Sequence, residues 1–394
     1  MLQFSSGSAR IINTERAVAE CLEIALGNDY KSADLLIFHA SIGHNFETMV
    51  QKAHEMAPNA RILAASCCGV IGREGVSESM KDMALMALKG NEFEIASAVE
   101  IDGKTAFEQS RKMAQELHGI NPAINIFFLM ASGIDIDNQK CIEGIESVFG
   151  KEITIFGATS SDNMKGIVSF QAVDTTVTEH GAWLLGFTDP TLKATTRATH
   201  GFTIFGNPLK VTKAEGNVIK ELNGKPAWQE YLNLLGLPEN STCGETIPVG
   251  ALGEILTPED AGVYGNSAIL RVVTKHNGND MYYATTISEG TELWLTLRDE
   301  ALIFSEMDRI ANELKAELSG ARPVAVFHAD CLARGKSLFN KVIKEELVAK
   351  MQHPFYVNEE CPPWLGMYGF GEFAKLNGRN MFHNYTTALY ILYR

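Results

Sequence analysis

Several things are missing from this sequence, and each absence excludes a class of protein. The 394-residue chain has seven cysteines and no Cys-x-x-Cys pair, so neither a disulfide-stapled scaffold nor a zinc ribbon is expected. No apolar run approaches the ~20 residues that span a bilayer, so membrane insertion is not expected. The first residues, Met-Leu-Gln-Phe-Ser-Ser-Gly-Ser-Ala-Arg, lack the basic and apolar regions of a secretory leader. Basic residues are in the minority: 34 Lys and Arg stand against 48 Asp and Glu, a formal charge of −14. Such a chain repels phosphate backbones and anionic surfaces, so nucleic acid is not an expected partner. The reading is a folded, acidic protein with reduced thiols, placed in the cytoplasm.

The common catalytic signatures are absent too. Gly335-Lys-Ser337 suggests a phosphate loop, but Asp330 occupies the position where that loop needs glycine. Gly369-Phe-Gly371 has no third glycine in register for a dinucleotide fold. Ser161-Asp-Asn163 has no Ser-x-x-Lys partner, and there is neither a nucleophile elbow nor a His-Glu-x-x-His helix.

What is present is an internal repeat. Three segments share the order buried strand, helix, buried strand, Gly-rich turn, apolar strand. They begin at Asp34-Leu-Leu-Ile-Phe-His-Ala-Ser41, Ile124-Asn-Ile-Phe-Phe-Leu-Met-Ala-Ser132 and Pro323-Val-Ala-Val-Phe-His-Ala-Asp330. Continuous apolar runs mean strands covered on both faces. Helices are expected near 45–57, 138–149 and 337–350, and over 303–318, where the apolar spacing follows a helical period. The stretch from about 190 to 300 reads as meanders. It holds a strand pair over 211–222, a helix from Pro226 to Leu235, and a hairpin of 268–273 with 281–287. The fold class expected is α+β: two related lobes of repeated strand-helix-strand units, with mixed, largely buried sheets layered with helices. The boundary falls near 190–205.

Candidate site residues sit where strands give way to loops. Ser66-Cys-Cys-Gly69, Gly157-Ala-Thr-Ser-Ser-Asp162, Cys331-Leu-Ala-Arg-Gly335 and Gly369-Phe-Gly-Glu372 mix small residues with single charges. Small residues let a ligand approach the backbone, and the charges fix its polar ends. Arg334 is expected to hold a carboxylate through its fork, and Asp162 or Glu372 to pair an amine. Ser66, Cys67, Gly69, Thr159 and Gly371 supply hydrogen bonds and clearance. His39 and His328 share the Phe-His-Ala position of repeats one and three, as pocket groups or as core histidines. Cys331 lies beside Arg334, which would lower its pKa if it were a nucleophile.

The order Asp34-Leu-Leu-Ile-Phe, Ala64-Ala-Ser-Cys-Cys-Gly-Val70, Phe156-Gly-Ala-Thr-Ser-Ser-Asp162 and Gly181-Ala-Trp-Leu-Leu185 resembles a FIST amino-terminal domain. Val211-Thr-Lys-Ala-Glu-Gly-Asn-Val-Ile-Lys-Glu-Leu-Asn-Gly-Lys-Pro226 resembles the opening of a FIST carboxy-terminal domain, and the likeness continues to His383-Asn-Tyr-Thr386. The resemblance implies domains over 1–200 and 201–394 and a non-catalytic bacterial sensory role. The implied ligand is an amino acid or another small polar metabolite. The implied partners are a histidine kinase, a chemoreceptor or a cyclic-dinucleotide enzyme. Some stand-alone members bind haem and sense nitric oxide; here the histidines to consider are His39, His328 and His383. Those members tend to carry Ser-Thr-Ala-Gly-Glu where this chain has Ser66-Cys-Cys-Gly-Val70, which turns the reading away from haem. A cysteine-dependent enzyme using Cys67 or Cys331 is the remaining alternative.

Overall fold

The computed structural model describes residues 1–394. It is α+β, with three six-stranded mixed sheets and one eight-stranded antiparallel sheet. The three mixed sheets are the three sequence repeats, and each has two parallel inner strands. In the first unit these are Leu35–Ser41 and Arg61–Cys67, flanked by Asp82–Lys89 and Gln3–Arg10. In the second they are Ile126–Ser132 and Thr154–Ser160, flanked by Ala182–Phe187 and Phe93–Ala98. In the third they are Pro323–Cys331 and Trp364–Gly369, flanked by Thr387–Tyr393 and Lys193–Thr199.

Each sheet is completed by a hairpin from another unit. Gln171–Val173 and Thr176–Thr178 of the second unit extend the first sheet. Glu372–Leu376 and Arg379–His383 of the third extend the second. Val70–Gly72 and Gly75–Ser77 of the first extend the third. The exchange is cyclic, so the repeats close into a ring with pseudo-threefold order.

Every inner strand is covered on both faces, which is why it reads as an uninterrupted apolar run. Leu35 and Ile37 face the ring's centre, while Leu36 and Phe38 face the helices. The centre is aromatic: Phe128 lies 5.0 Å from Phe156, 4.9 Å from Phe327 and 4.9 Å from Trp183, centroid to centroid. Burying each such ring contributes about 1.5–3 kcal/mol. The covering helices start where a side chain can cap them. Asn13, Asn45, Asp137, Asp299 and Asn340 each accept the backbone N–H three residues on.

The third unit is interrupted. Between Lys193–Thr199 and the helix Glu300–Glu317 the chain makes the eight-stranded sheet, which packs around its own core of Val211, Leu222, Trp228, Tyr231, Met281 and Leu293. The helix Ala227–Leu235 follows Pro226 as expected. The expected hairpin has shorter arms, Val273–Asn277 and Asp280–Tyr283, while Ala268–Arg271 pairs with Ala251–Ile255 instead. No helix is long and apolar enough to cross a membrane.

Candidate functional site

The inner strands of the three units end at one place, and their ends interlock. Ser161 N donates to Ser66 O at 2.9 Å, and Ser66 Oγ donates to Ser161 O at 2.8 Å. Cys68 N donates to Tyr368 O at 3.0 Å, and Tyr368 N to Gly69 O at 2.9 Å. Thr159 N donates to Gly371 O at 2.9 Å. The small residues of the sequence motifs thus allow backbones to cross. A Cβ at Gly69 would sit 2.5 Å from Ser77 O, one at Gly369 would sit 2.5 Å from Thr159 O, and one at Gly371 would strike the Phe382 ring. Ser66, Gly69, Thr159 and Gly371 are brought together, but against one another; the clearance expected for a ligand is filled by this seam.

The charged candidates also take other roles. Arg334 is buried with its side chain 1% exposed. Its Nε donates to Asp330 Oδ1 at 2.9 Å and its Nη1 to His200 O at 2.8 Å. It braces the strand end and does not present its fork to a ligand. Asp162 is not free for an amine: its carboxylate accepts the N–H groups of Lys165 at 2.7 Å, Gly166 at 3.0 Å, Ile167 at 2.8 Å and Val168 at 3.5 Å. Glu372 is fully buried, with Oε2 accepting from Thr386 Oγ1 at 2.5 Å and Oε1 unpartnered. Burial holds its carboxyl well above the usual range, against the Thr386 hydrogen bond, so it is a neutral acid and not a counter-ion for an amine.

The two Phe-His-Ala histidines are not equivalent. Ser41, Ser132 and Cys331 end their strands opposite Cys67, Ser160 and Gly369, which aligns His39 with Met130 and Ala329. His328 lies one residue out of register, and a one-residue slip turns a side chain to the other face. His39 therefore points into the centre beside Phe128, while His328 packs on Trp364 under the helices. The central void at His39 is about 10 Å³, room for about one water. His328 Nε2 meets Thr387 Oγ1 at 2.8 Å. His383 accepts from Tyr264 OH at its Nδ1, 3.0 Å away, while its Nε2 donates to Ala374 O at 3.3 Å. Burial lowers His39 to about 4 and His383 to about 3. None of the three turns a ring nitrogen toward a haem-sized space, so these residues do not fit haem.

The thiols are unactivated. Burial pushes Cys67 and Cys331 well above the ordinary thiol range, and the Asp330 carboxylate raises Cys331 further. The expected influence of Arg334 is taken up by Asp330.

Open space lies beside the seam, where the eight-stranded insert folds back over it. This cavity is about 360 Å³, within the size range of small-ligand sites. Its ring side comprises Gly133–Asp135, the Asp162-held loop at Met164–Ile167, Cys331–Ala333 and Phe370. Its insert side comprises Cys243, Gly244, Ile247 and Val272–Lys275. Lys275 Nζ pairs with Asp135 Oδ1 at 2.5 Å, joining the two sides. Other clefts, of about 330 Å³ at Arg73–Val76 and about 390 Å³ along Gln171–Thr178, lie at hairpin edges and are less apolar.

Of the sequence candidates, Cys331 lines this cavity and Asp162 shapes it through the loop; Glu372 and Gly371 stand behind Phe370. Lys165, Cys243, Phe370 and Lys275 were not singled out. Lys165 had a signal, since it follows Ser-Ser-Asp in a strand-end loop. The insert residues had none, because nothing in their pattern reveals which surface the insert covers.

The FIST N domain profile matches residues 34–225 and the FIST C domain profile residues 227–375. An uncharacterised protein of Methanocaldococcus jannaschii is 37% identical over 100 residues, a match spanning 25% of this chain and only 19% of that protein's length. Among solved structures, cyanuric acid hydrolase from A. caulinodans aligns over 48% of this chain and 71% of its own, at TM-score 0.26 and 8% identity. PurL from T. maritima aligns over 100% and 72%, at TM-score 0.21 and 9% identity. Likenesses this slight carry no conclusion about fold or function.

Proposed function

The chain belongs to the FIST family, whose domains are sensory domains of signal transduction, and from that premise we propose that it is a non-catalytic sensor of a small metabolite. The ligand, of amino-acid size and carrying a polar group, binds in the cavity between the strand-end seam and the eight-stranded insert. The observation that carries this reading is the cavity's two-sided wall. Ring and insert each have a main core and share a small one, in which Phe202, Ala251 and Leu270 meet Cys331, Ala333 and Tyr385; beside it they face each other across the cavity with a polar bridge at Asp135 and Lys275. A ligand touching both sides favours one relative placement, and that differential affinity shifts the population a partner reads. The partners proposed are a histidine kinase, a chemoreceptor or a cyclic-dinucleotide enzyme. The seven unpaired cysteines suit the reducing cytoplasm in which we place the protein.

The test is a thermal-shift screen with amino acids and small organic anions, run beside the alkylation rate of Cys243. This thiol is half-buried on the cavity wall, and burial pushes its pKa up to about 11; the other six thiols are buried. A ligand in the cavity raises the melting temperature and slows alkylation of Cys243. Stabilisation without protection of Cys243 would place the ligand elsewhere.

A further inference from the structure

The lining of this cavity carries one charge without a partner. Lys165 has no carboxylate within 4.0 Å of its ammonium. Asp162, the acid of its own loop, is engaged by four backbone N–H groups. Asp135 is the one acid in the lining, and Lys275 holds it at 2.5 Å. His180 also lies in the lining. Most of the remaining wall is apolar: Ile134, Met164, Ile247, Val272, Leu332 and Phe370. Ile167, at the tip of the Asp162-held loop, also lines the cavity yet is 76% exposed, an apolar side chain that a bound molecule would cover.

These features discriminate among ligand charges. An amine-bearing ligand would leave its ammonium facing Lys165 and an acid already paired, and burying a charge without a counter-ion is costly. An α-amino acid carries that burden along with its carboxylate. A carboxylate on an apolar body meets Lys165 with its charge and the wall with its body. Resting on the cavity reading above, we propose that the site selects apolar-bodied monocarboxylates over the corresponding zwitterionic amino acids, with Lys165 as the counter-charge. Ile167 and Phe370 cover the body. A lysine ammonium sits on a flexible four-carbon stem, so Lys165 acts as a point charge and not as a bidentate clamp.

The experiment uses the full chain at low salt. Hexanoate, isocaproate and hydrocinnamate are titrated, each beside its primary amide and its α-amino acid (norleucine, leucine and phenylalanine). Calorimetry and protection of Cys243 from alkylation are the readouts. At least one carboxylate is expected to bind about tenfold or more tightly than its amide and its amino acid, the scale of one charge-assisted contact. Lys165→Gln, a change at an exposed side chain, is expected to remove that preference while leaving the amide's affinity within about twofold. The selectivity is refuted if an amino acid binds as tightly as its carboxylate, or if Lys165→Gln weakens amide and carboxylate alike; protection of Cys243 in those cases leaves the cavity reading standing. If no compound protects Cys243, the cavity reading falls with it.

Discussion

His39 offers a test of how the ring's centre is held together. The side chain is 2% exposed, and neither ring nitrogen makes a well-formed hydrogen bond, the Gly366 backbone being no more than a weak partner. It faces Phe128 beside a void of about 10 Å³, where the second unit has Met130. Replacing it by that residue, His39→Met, removes an unsatisfied buried polar group, worth about 1–3 kcal/mol. A second contribution depends on pH. Burial lowers the folded pKa of His39 from 6.5 to about 4. Below pH 6.5 the unfolded chain binds a proton that the folded chain refuses, so stability falls until pH reaches about 4. The slope is about 1.4 kcal/mol per pH unit, hence about 2 kcal/mol lost by about pH 5. His39→Met should therefore be more stable than the parent by about 1–3 kcal/mol near neutrality, and by about 2 kcal/mol more at about pH 5. Urea unfolding followed by the fluorescence of the four tryptophans measures both. A variant less stable than the parent at neutral pH, or a gain that does not grow in acid, would refute the reasoning.

Three further outcomes are expected. His200 and His383, both lowered to about 3 by burial, act in the same direction as His39, while Glu372, raised by burial, keeps its proton when folded and opposes them. The three imidazoles outnumber the one carboxyl, so the parent chain should take up net protons on unfolding as pH falls from 6.5 to 5, and urea midpoints should fall over that range; a flat profile contradicts the assignment of neutral buried imidazoles. Asp162→Ala removes the acceptor of four loop N–H groups. Amide exchange at 165–168 should accelerate about tenfold or more, with a global loss of about 1–3 kcal/mol; unchanged exchange would show that the loop is held by something else. Arg334→Ala leaves Asp330 as an unpaired buried charge and should cost about 3–5 kcal/mol in chemical denaturation. Full stability with weakened ligand binding would instead restore Arg334 as a ligand residue.

The repeats were legible because strands such as Leu35–Ser41 and Ile126–Ser132, buried on both faces, cannot hide their composition. The helices were legible because Phe46, Met49, Val50 and Ala53 must share one face. The cyclic exchange was not. Val70–Gly72 is three residues long, and nothing within it says that it joins the sheet built around Trp364–Gly369. Phe-His-Ala at 38–40 and 327–329 looked like one position, yet strand register places the two histidines on opposite faces. The loop motifs do lie together, with their small residues packed against one another. Glycine and serine that suit a ligand equally suit crossing backbones, and only the partners at Gly371 and Ser66 distinguish the two. Arg334 followed a strand end, as a ligand residue would, but Asp330 four residues earlier claims it.

The central claim is that a ligand binds between ring and insert and touches both. Hydrogen exchange read by mass spectrometry, with and without saturating hexanoate and, separately, leucine, addresses it most directly. The tighter binder should slow exchange together at 133–137 and 163–168 on the ring side and at 243–247 and 272–275 on the insert side. Protection confined to one side, or centred on the clefts at 73–76 or 171–178, would contradict it.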